Sequence, residues 1–257
     1  MVGPDRFDGI RHFVSPLDSV NLKDNVTMSP RADVRKRVWV RYTVGVADSP
    51  VPGSRDGAPA SLRAEQVAQT RAALVTAGRL LFGTKGFAAT SVEDLARAAR
   101  VTTGALYHHF PTKAAVFEAV FEQVHTEMLV ASAEASAAAD GALEQMAAGF
   151  GVFLDRVLEP EVQRILVTDG PAVLGLARFI ELDERYALDP AVEAIEEANA
   201  AGLLRVEDPP TLARLLFGTM TRAGLLIASS PDPKATRAAV GVTFRQMLSG
   251  FLPTQPE

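Results

Sequence analysis

The stretch Thr102-Thr103-Gly104-Ala105-Leu106-Tyr107-His108-His109-Phe110-Pro111-Thr112-Lys113 constrains this chain more than any other. It holds a helix cap, a short helix with one apolar and one polar side, a proline stop and the cap of a new helix. A helix this short is not stable alone, because nucleation fixes several residues in return for few hydrogen bonds. Leu106 and Phe110, four apart, must therefore pin it to neighbours. Thr103, Gly104, Tyr107 and His108 are left on the other side, with Thr102 as the cap. After Pro111 and the new cap Thr112, Val116, Phe117, Val120, Phe121, Val124 and Met128 mark the inward face of the next helix.

Upstream, from about Leu62, the residues Val67, Thr70, Leu74, Ala77, Gly78, Leu81 and Phe82 recur at spacings of three and four. Gly86 suits the left-handed turn that ends such a helix. Thr90/Glu93 and Ser91/Asp94 both have capping-box spacing. Val92, Leu95, Ala96 and Ala99 then give a second helix before Val101. Two helices joined by a short turn, the second with a polar outer face, form the helix-turn-helix pattern. Its second helix offers hydroxyls, an imidazole and a phenol to base edges in the major groove, while helix N-termini and cations hold phosphates.

Charge is divided along the chain. Residues 61–113 carry 7 Lys+Arg against 3 Asp+Glu, residues 114–257 carry 10 against 21, and residues 1–60 carry 9 against 7, for a net −5. A basic segment on an acidic body suggests an anion-binding module on a body that avoids anions. Ordinary fluctuation of charge over a short window is the competing explanation.

The residues go beyond a generic motif. Thr70-Arg71, Ala77, Leu81-Phe82, Gly86-Phe87, Thr90-Ser91-Val92, Leu95-Ala96, Ala99, Val101-Thr102, Gly104, Leu106-Tyr107, His109-Phe110 and Lys113 closely resemble the DNA-binding domain of TetR-family transcriptional regulators. The resemblance implies an all-α fold. An N-terminal three-helix DNA-binding domain with a helix-turn-helix, residues 61–113, precedes a C-terminal helical bundle for ligand binding and dimerisation, residues 114–257. Carried over residue by residue, it implies that Thr103 and Gly104 face bases and that Tyr107 and His108 contact phosphate or base edges. Lys113 would clamp a phosphate, and Ser91 would be a phosphate-contacting cap. His109 matches a position that is often packed or backbone-bonded.

Two positions depart from the family pattern. Arg100 stands where a turn glycine is usual, and a left-handed non-glycine costs on the order of 1 kcal/mol. The alternatives are a turn of another form and an added phosphate contact. Ala114 replaces a usual acidic residue and loses some helix-dipole interaction. The adjacent His108 and His109 point about 100° apart on a helix and do not share an ion easily. Neither a metal nor a cofactor is expected.

The rest of the chain reads as a helical bundle with short loops. Leu143, Met146, Ala147, Phe150, Phe153, Leu154, Val157 and Leu158 make an amphipathic helix closed by Pro160. Val162, Ile165 and Leu166 start a shorter helix ending at Asp169-Gly170-Pro171. Residues 172–188 and 191–201 are helical in pattern, divided by Asp189-Pro190 as cap and first-turn proline. Two last helices are expected over residues 211–229 and 233–252. The resemblance makes this pair a dimer interface; plain intramolecular packing gives the same periodicity. A ligand cavity among the middle helices has Phe150, Leu154, Leu176, Phe179 and Met220 as candidate walls, with Phe153 beside them. Asp169, Arg178 or Tyr186 would be polar anchors; each of these residues fits ordinary core or surface as well.

Residues 1–60 differ in composition, with Pro4, Pro16, Pro30, Pro50, Pro52 and Pro59 and a strand-like alternation from Val34 to Val46. They read as a disordered or loosely held extension, a basic arm reaching DNA, or upstream sequence before a start at Met28. With no Cys, disulfides, thiol redox sensing and thiolate metal sites are excluded. No apolar run approaches the ~20 residues of a membrane span, and Pro4, Asp5 and Asp8 interrupt any signal core. The expectation is a soluble, cytoplasmic homodimer with no membrane partner. It would be a regulator, most often a repressor in the family, released from a palindromic double-stranded operator by an unidentified small molecule. A small-molecule-binding helical protein without operator function is the alternative. An all-helical enzyme ranks last, since only His12, His108, His109 and His125 are available and no nucleophile motif appears.

Overall fold

The computed structural model describes residues 62–253, and every regular element among them is helical. The expectations for residues 1–60, including the Val34 to Val46 alternation, lie outside the described residues.

Helix α1 (Leu62–Lys85) stops at Gly86, whose φ is +84°. Helix α2 (Val92–Ala98) starts at Ser91, whose hydroxyl accepts from the Asp94 N–H at 3.0 Å. Of the two box spacings, Ser91/Asp94 is the one formed. Thr90 is buried instead, its hydroxyl donating to the Gly86 carbonyl at 2.8 Å. Helix α3 (Thr103–His109) is capped by Thr102, and helix α4 (Lys113–Ala138) by Thr112. These caps each satisfy an early N–H that the helix cannot, which is why short polar side chains stand there. Leu74, Phe82, Leu95, Leu106, Phe110, Val116 and Phe117 close the core of this head; the Phe82 and Phe117 rings meet edge to face at 5.3 Å.

Helix α4 runs on into the body, where α5 (Ala142–Arg156) packs along it. The next segment departs from expectation. Instead of a helix ending at Asp169-Gly170-Pro171, an α-turn α6 (Pro160–Val162) leads into a π-helical stretch π1 (Gln163–Asp169), and the chain continues as α7 (Gly170–Leu174). Pro171 has no N–H to give and its ring crowds the preceding turn, so wider turns ahead of it relieve an α-helical ladder it would break.

The division expected at Asp189-Pro190 falls elsewhere. Gly175, at φ +75°, turns the chain, and α8 (Leu176–Arg185) and α9 (Leu188–Ala200) part at Tyr186-Ala187. Asp189 and Pro190 sit inside the first turn of α9, where proline is tolerated. Helices α10 (Pro209–Ala228) and α11 (Pro233–Ser249) start two residues earlier and end three residues earlier, respectively, than the sequence pattern suggested. Asp208 and Asp232 cap them, accepting from Thr211 and Ala235 N–H groups at 3.1 and 3.0 Å.

Helix α10 is long and apolar enough to cross a membrane by length and composition, with a mean hydropathy of 1.2 over 18 residues. Arg214 and Arg222 interrupt it, which is why no unbroken apolar run is visible in the sequence. Only 28% of that window is buried inside the protomer. Leu215, Leu225 and Leu226 on α10, with Val242 and Met247 on α11, are exposed.

Candidate nucleic-acid interface and interior cavity

Leu106 is fully buried and Phe110 nearly so, with the Arg71 guanidinium 4.2 Å from the Phe110 ring centre. Helix α3 is thus held from one side. On the other, Gly104, Tyr107 and His108 are exposed and Thr103 is half-buried. Tyr107 leaves 51% of its surface in solvent, unusual for an aromatic residue without a partner. A Cβ at Gly104 would meet nothing nearer than Thr102 Oγ1 at 3.9 Å, and its φ is not positive. The protomer does not need glycine at this position; a glycine keeps the backbone open to another molecule.

The turn before α3 takes the left-handed form. Arg100 has φ +57°, its N–H donates to the Arg97 carbonyl at 3.1 Å, and the Val101 N–H donates to the Ala96 carbonyl at 2.9 Å. This is a Schellman motif with arginine where glycine is usual. The Arg100 side chain is exposed beside α3. Arg100→Gly removes the backbone strain but loosens the unfolded chain. Chemical denaturation should show a gain of up to about 1 kcal/mol.

Lys113 has a structural task that the sequence did not reveal. Its ammonium donates to the Phe87 and Thr90 carbonyls, at 2.9 and 2.8 Å, and lies 4.1 Å from the Phe87 ring centre. One of its three donors remains for an anion. The hydroxyls of Ser91 and Thr102 accept from the Asp94 and Ala105 N–H groups, at 3.0 and 3.1 Å; the Ser91 hydroxyl also bonds the Asp94 carboxylate, while the Thr102 O–H is left to donate outward. The Ser91 N–H and then the Lys85 charge hold Asp94 below the usual carboxylate range, so the α2 cap is a charged one near neutral pH. The His108 and His109 rings meet edge to face at 5.5 Å.

The Phe87 peptide joins head and body. Lys113 takes its carbonyl, and the Asp169 carboxylate at the end of π1 accepts its N–H at 2.8 Å. Arg164 of π1 donates to the carbonyls of Thr84 and Gly83, and Glu161 pairs with Arg79 of α1 at 2.7 Å. Asp169 therefore serves the junction and not a ligand. Arg178 also serves elsewhere, in ion pairs to Glu118 on α4 and Glu181.

Inside the body, a cavity of about 110 Å³ lies among α4, α5, α9 and α10, with Phe244 of α11 at one side. Phe150 and Met220 line it, and Phe150 stacks on Phe244 at 3.6 Å between ring centres. Phe179 lines instead a smaller adjoining space of about 30 Å³, together with Phe153. Leu154 lines neither of these spaces: it is fully buried, one turn past Phe150, and faces α11 beside Gly241, where it borders an open groove between α5 and α11. Leu176 is also misplaced by sequence reasoning. It is 71% exposed, because the left-handed Gly175 turns the start of α8 outward. Tyr186 packs against Leu129 and Ala133. Sequence reasoning missed Ser132, Ser136, Gln145 and Glu197, which give the main cavity its few polar groups. It also missed the buried His125, which contacts Asp183 at 3.1 Å. A polar residue on the inward stripe Phe121, Val124, Met128 was the available signal.

Residues 74–120 match the family described as bacterial regulatory proteins, tetR family, and residues 143–251 match a tetracyclin repressor-like C-terminal domain. A solved TetR-family transcriptional regulator from Pectobacterium atrosepticum is 33% identical with a TM-score of 0.67, over 75% of this chain and 98% of that one. The Transposon Tn10 TetC protein of Escherichia coli is 25% identical over 159 residues, 60% of this chain and 78% of that protein. The HTH-type transcriptional regulator TtgR of Pseudomonas putida is 38% identical over 61 residues, 24% of this chain and 29% of that protein.

Proposed function

The chain belongs to the TetR family of transcriptional regulators, and on that premise we propose that it is a cytoplasmic repressor whose homodimer releases a palindromic operator when a small molecule fills the interior cavity. Residues 61–113 read DNA and residues 114–257 receive the effector and pair the subunits.

Each α3 enters a major groove, with Thr103 and Gly104 against bases and Tyr107 and His108 against base edges or phosphate. The Thr102 O–H and the third Lys113 donor take phosphate oxygens, and the Ser91 hydroxyl does so by exchanging its Asp94 partner for phosphate. Two half-sites one helical turn apart require two heads at fixed spacing. The exposed apolar side chains of α10 and α11 supply the pairing surface, since a stripe of this kind on a soluble chain marks an interface. Effector release is a population shift: a ligand that favours another packing of α4 and π1 moves the Phe87 junction, and with it the head.

The observation that carries this reading is Gly104, open where the fold has no need of it. Selection of bound sequences from random duplex DNA identifies the operator. Gly104→Ala should then leave stability equal or higher by roughly 0.5–1 kcal/mol, yet weaken operator binding at least about tenfold, a lost contact of about 1.4 kcal/mol. A variant that binds the operator as tightly as the parent removes α3 from the interface.

A further inference from the structure

We propose that the effector is a single apolar ring bearing a hydroxyl, and that His125, oriented by Asp183, accepts the hydrogen bond from that hydroxyl. The inference rests on the cavity being the effector site.

Met128, Leu129, Phe217 and Met220 line both the larger space and the smaller one, and so form the wall between them. Two of the four are methionines, unbranched and easily re-packed, so the spaces join at little cost. Their volumes of about 110 and about 30 Å³ together approach the ~150 Å³ that holds one benzene ring in an apolar protein cavity. A compact single ring matches that combined volume.

Its charge and its polar group follow from the lining. Asp183 borders the smaller space and Glu197 the larger, so two carboxylates disfavour an anion. In the larger space the Ser136 hydroxyl donates to the Gln145 carbonyl at 2.9 Å, and the Gln145 amide donates to the Ala139 carbonyl at 3.3 Å. Ser132 can donate or accept and so selects neither. His125 is different. It is 4% exposed and stacks on Phe121 at 5.7 Å, with Nε2 directed at Asp183 Oδ1. In the tautomer proposed, Nε2–H donates to Asp183 and Nδ1 keeps a lone pair for the ligand. No hydrogen bond to Nδ1 is present among the described residues. A buried acceptor beside an apolar space favours a ligand that brings a donor, and a phenol brings one on an apolar ring.

The test is calorimetric titration of the full-length protein with p-cresol, p-xylene, benzoate and benzylamine. p-Cresol and p-xylene have nearly the same shape and differ in the hydroxyl. p-Cresol should bind at least about tenfold more tightly than p-xylene and more tightly than either charged probe. His125→Phe should bring p-cresol to within about twofold of p-xylene while p-xylene binding holds. Asp183→Asn, which removes the carboxylate without removing the ring, should shrink the same advantage and provides the test if His125→Phe does not fold. Equal binding of p-cresol and p-xylene overturns the proposal, as does tighter binding of a charged probe, absence of binding by all four, or an advantage that survives both substitutions. Operator binding of each unliganded protein is measured in parallel. Its absence in the parent defeats the repressor reading, while intact operator binding with unselective probes defeats this inference alone.

Discussion

Leu215→Glu combined with Val242→Glu should convert the protein to a monomer at micromolar concentration and reduce operator affinity by about 10²–10⁴, the gain that linking two half-sites provides. Both side chains are more than half exposed in the protomer, at 64% and 60%. The substitutions should therefore leave protomer stability within about 0.5 kcal/mol. The reason for a large effect lies in the partner. Two added carboxylates per subunit face their symmetry mates across a two-fold axis, on a body that already carries 21 Asp+Glu against 10 Lys+Arg in residues 114–257. Sedimentation velocity reads the mass and a binding titration reads the affinity. A dimer that persists and holds DNA normally would place the pairing surface away from α10 and α11.

The second large effect is inside the head. Leu106→Ala should cost about 2–5 kcal/mol, because it opens a cavity under a helix that has little else to hold it. Leu106 is fully buried, while Tyr107, its neighbour in sequence, is half exposed. Tyr107→Ala should leave stability within about 0.5 kcal/mol while weakening DNA binding. Urea denaturation separates the two, and hydrogen exchange should place the Leu106→Ala loss in residues 92–120. If both variants are equally stable, α3 is not pinned as described.

This contrast also shows how much could be read beforehand. Along α3 the caps, the stop and the inward pair Leu106 and Phe110 were legible because each is a local rule acting over four residues or fewer. The Asp208 and Asp232 caps are as local, each a carboxylate three residues before an N–H, yet sequence reasoning did not single them out and started the first of the two helices at Thr211 instead of Pro209. The break between α8 and α9 was misread because Asp189-Pro190 is a good start signal that a helix can also place in its first turn. Gly175, not proline, makes the preceding corner. The candidate cavity was only partly legible. Phe150, Leu154, Leu176 and Phe179 are alike as sequence, yet they line the larger space, face α11, stand in solvent and line the smaller space, respectively.

The sequence by itself determined the reading head: which helices form, where they begin, and which side of α3 is left free. Those outcomes depend on caps, on spacing and on one proline, all local. Only the tertiary structure decided that Arg100 takes the left-handed turn, that Lys113 and Asp169 hold the two ends of the Phe87 peptide, and that His125 meets Asp183 at the edge of a cavity. Each of the last three is a contact between residues 26 to 82 positions apart. Such contacts follow from how the helices pack, and helical periodicity carries no information about which neighbour a given face will meet.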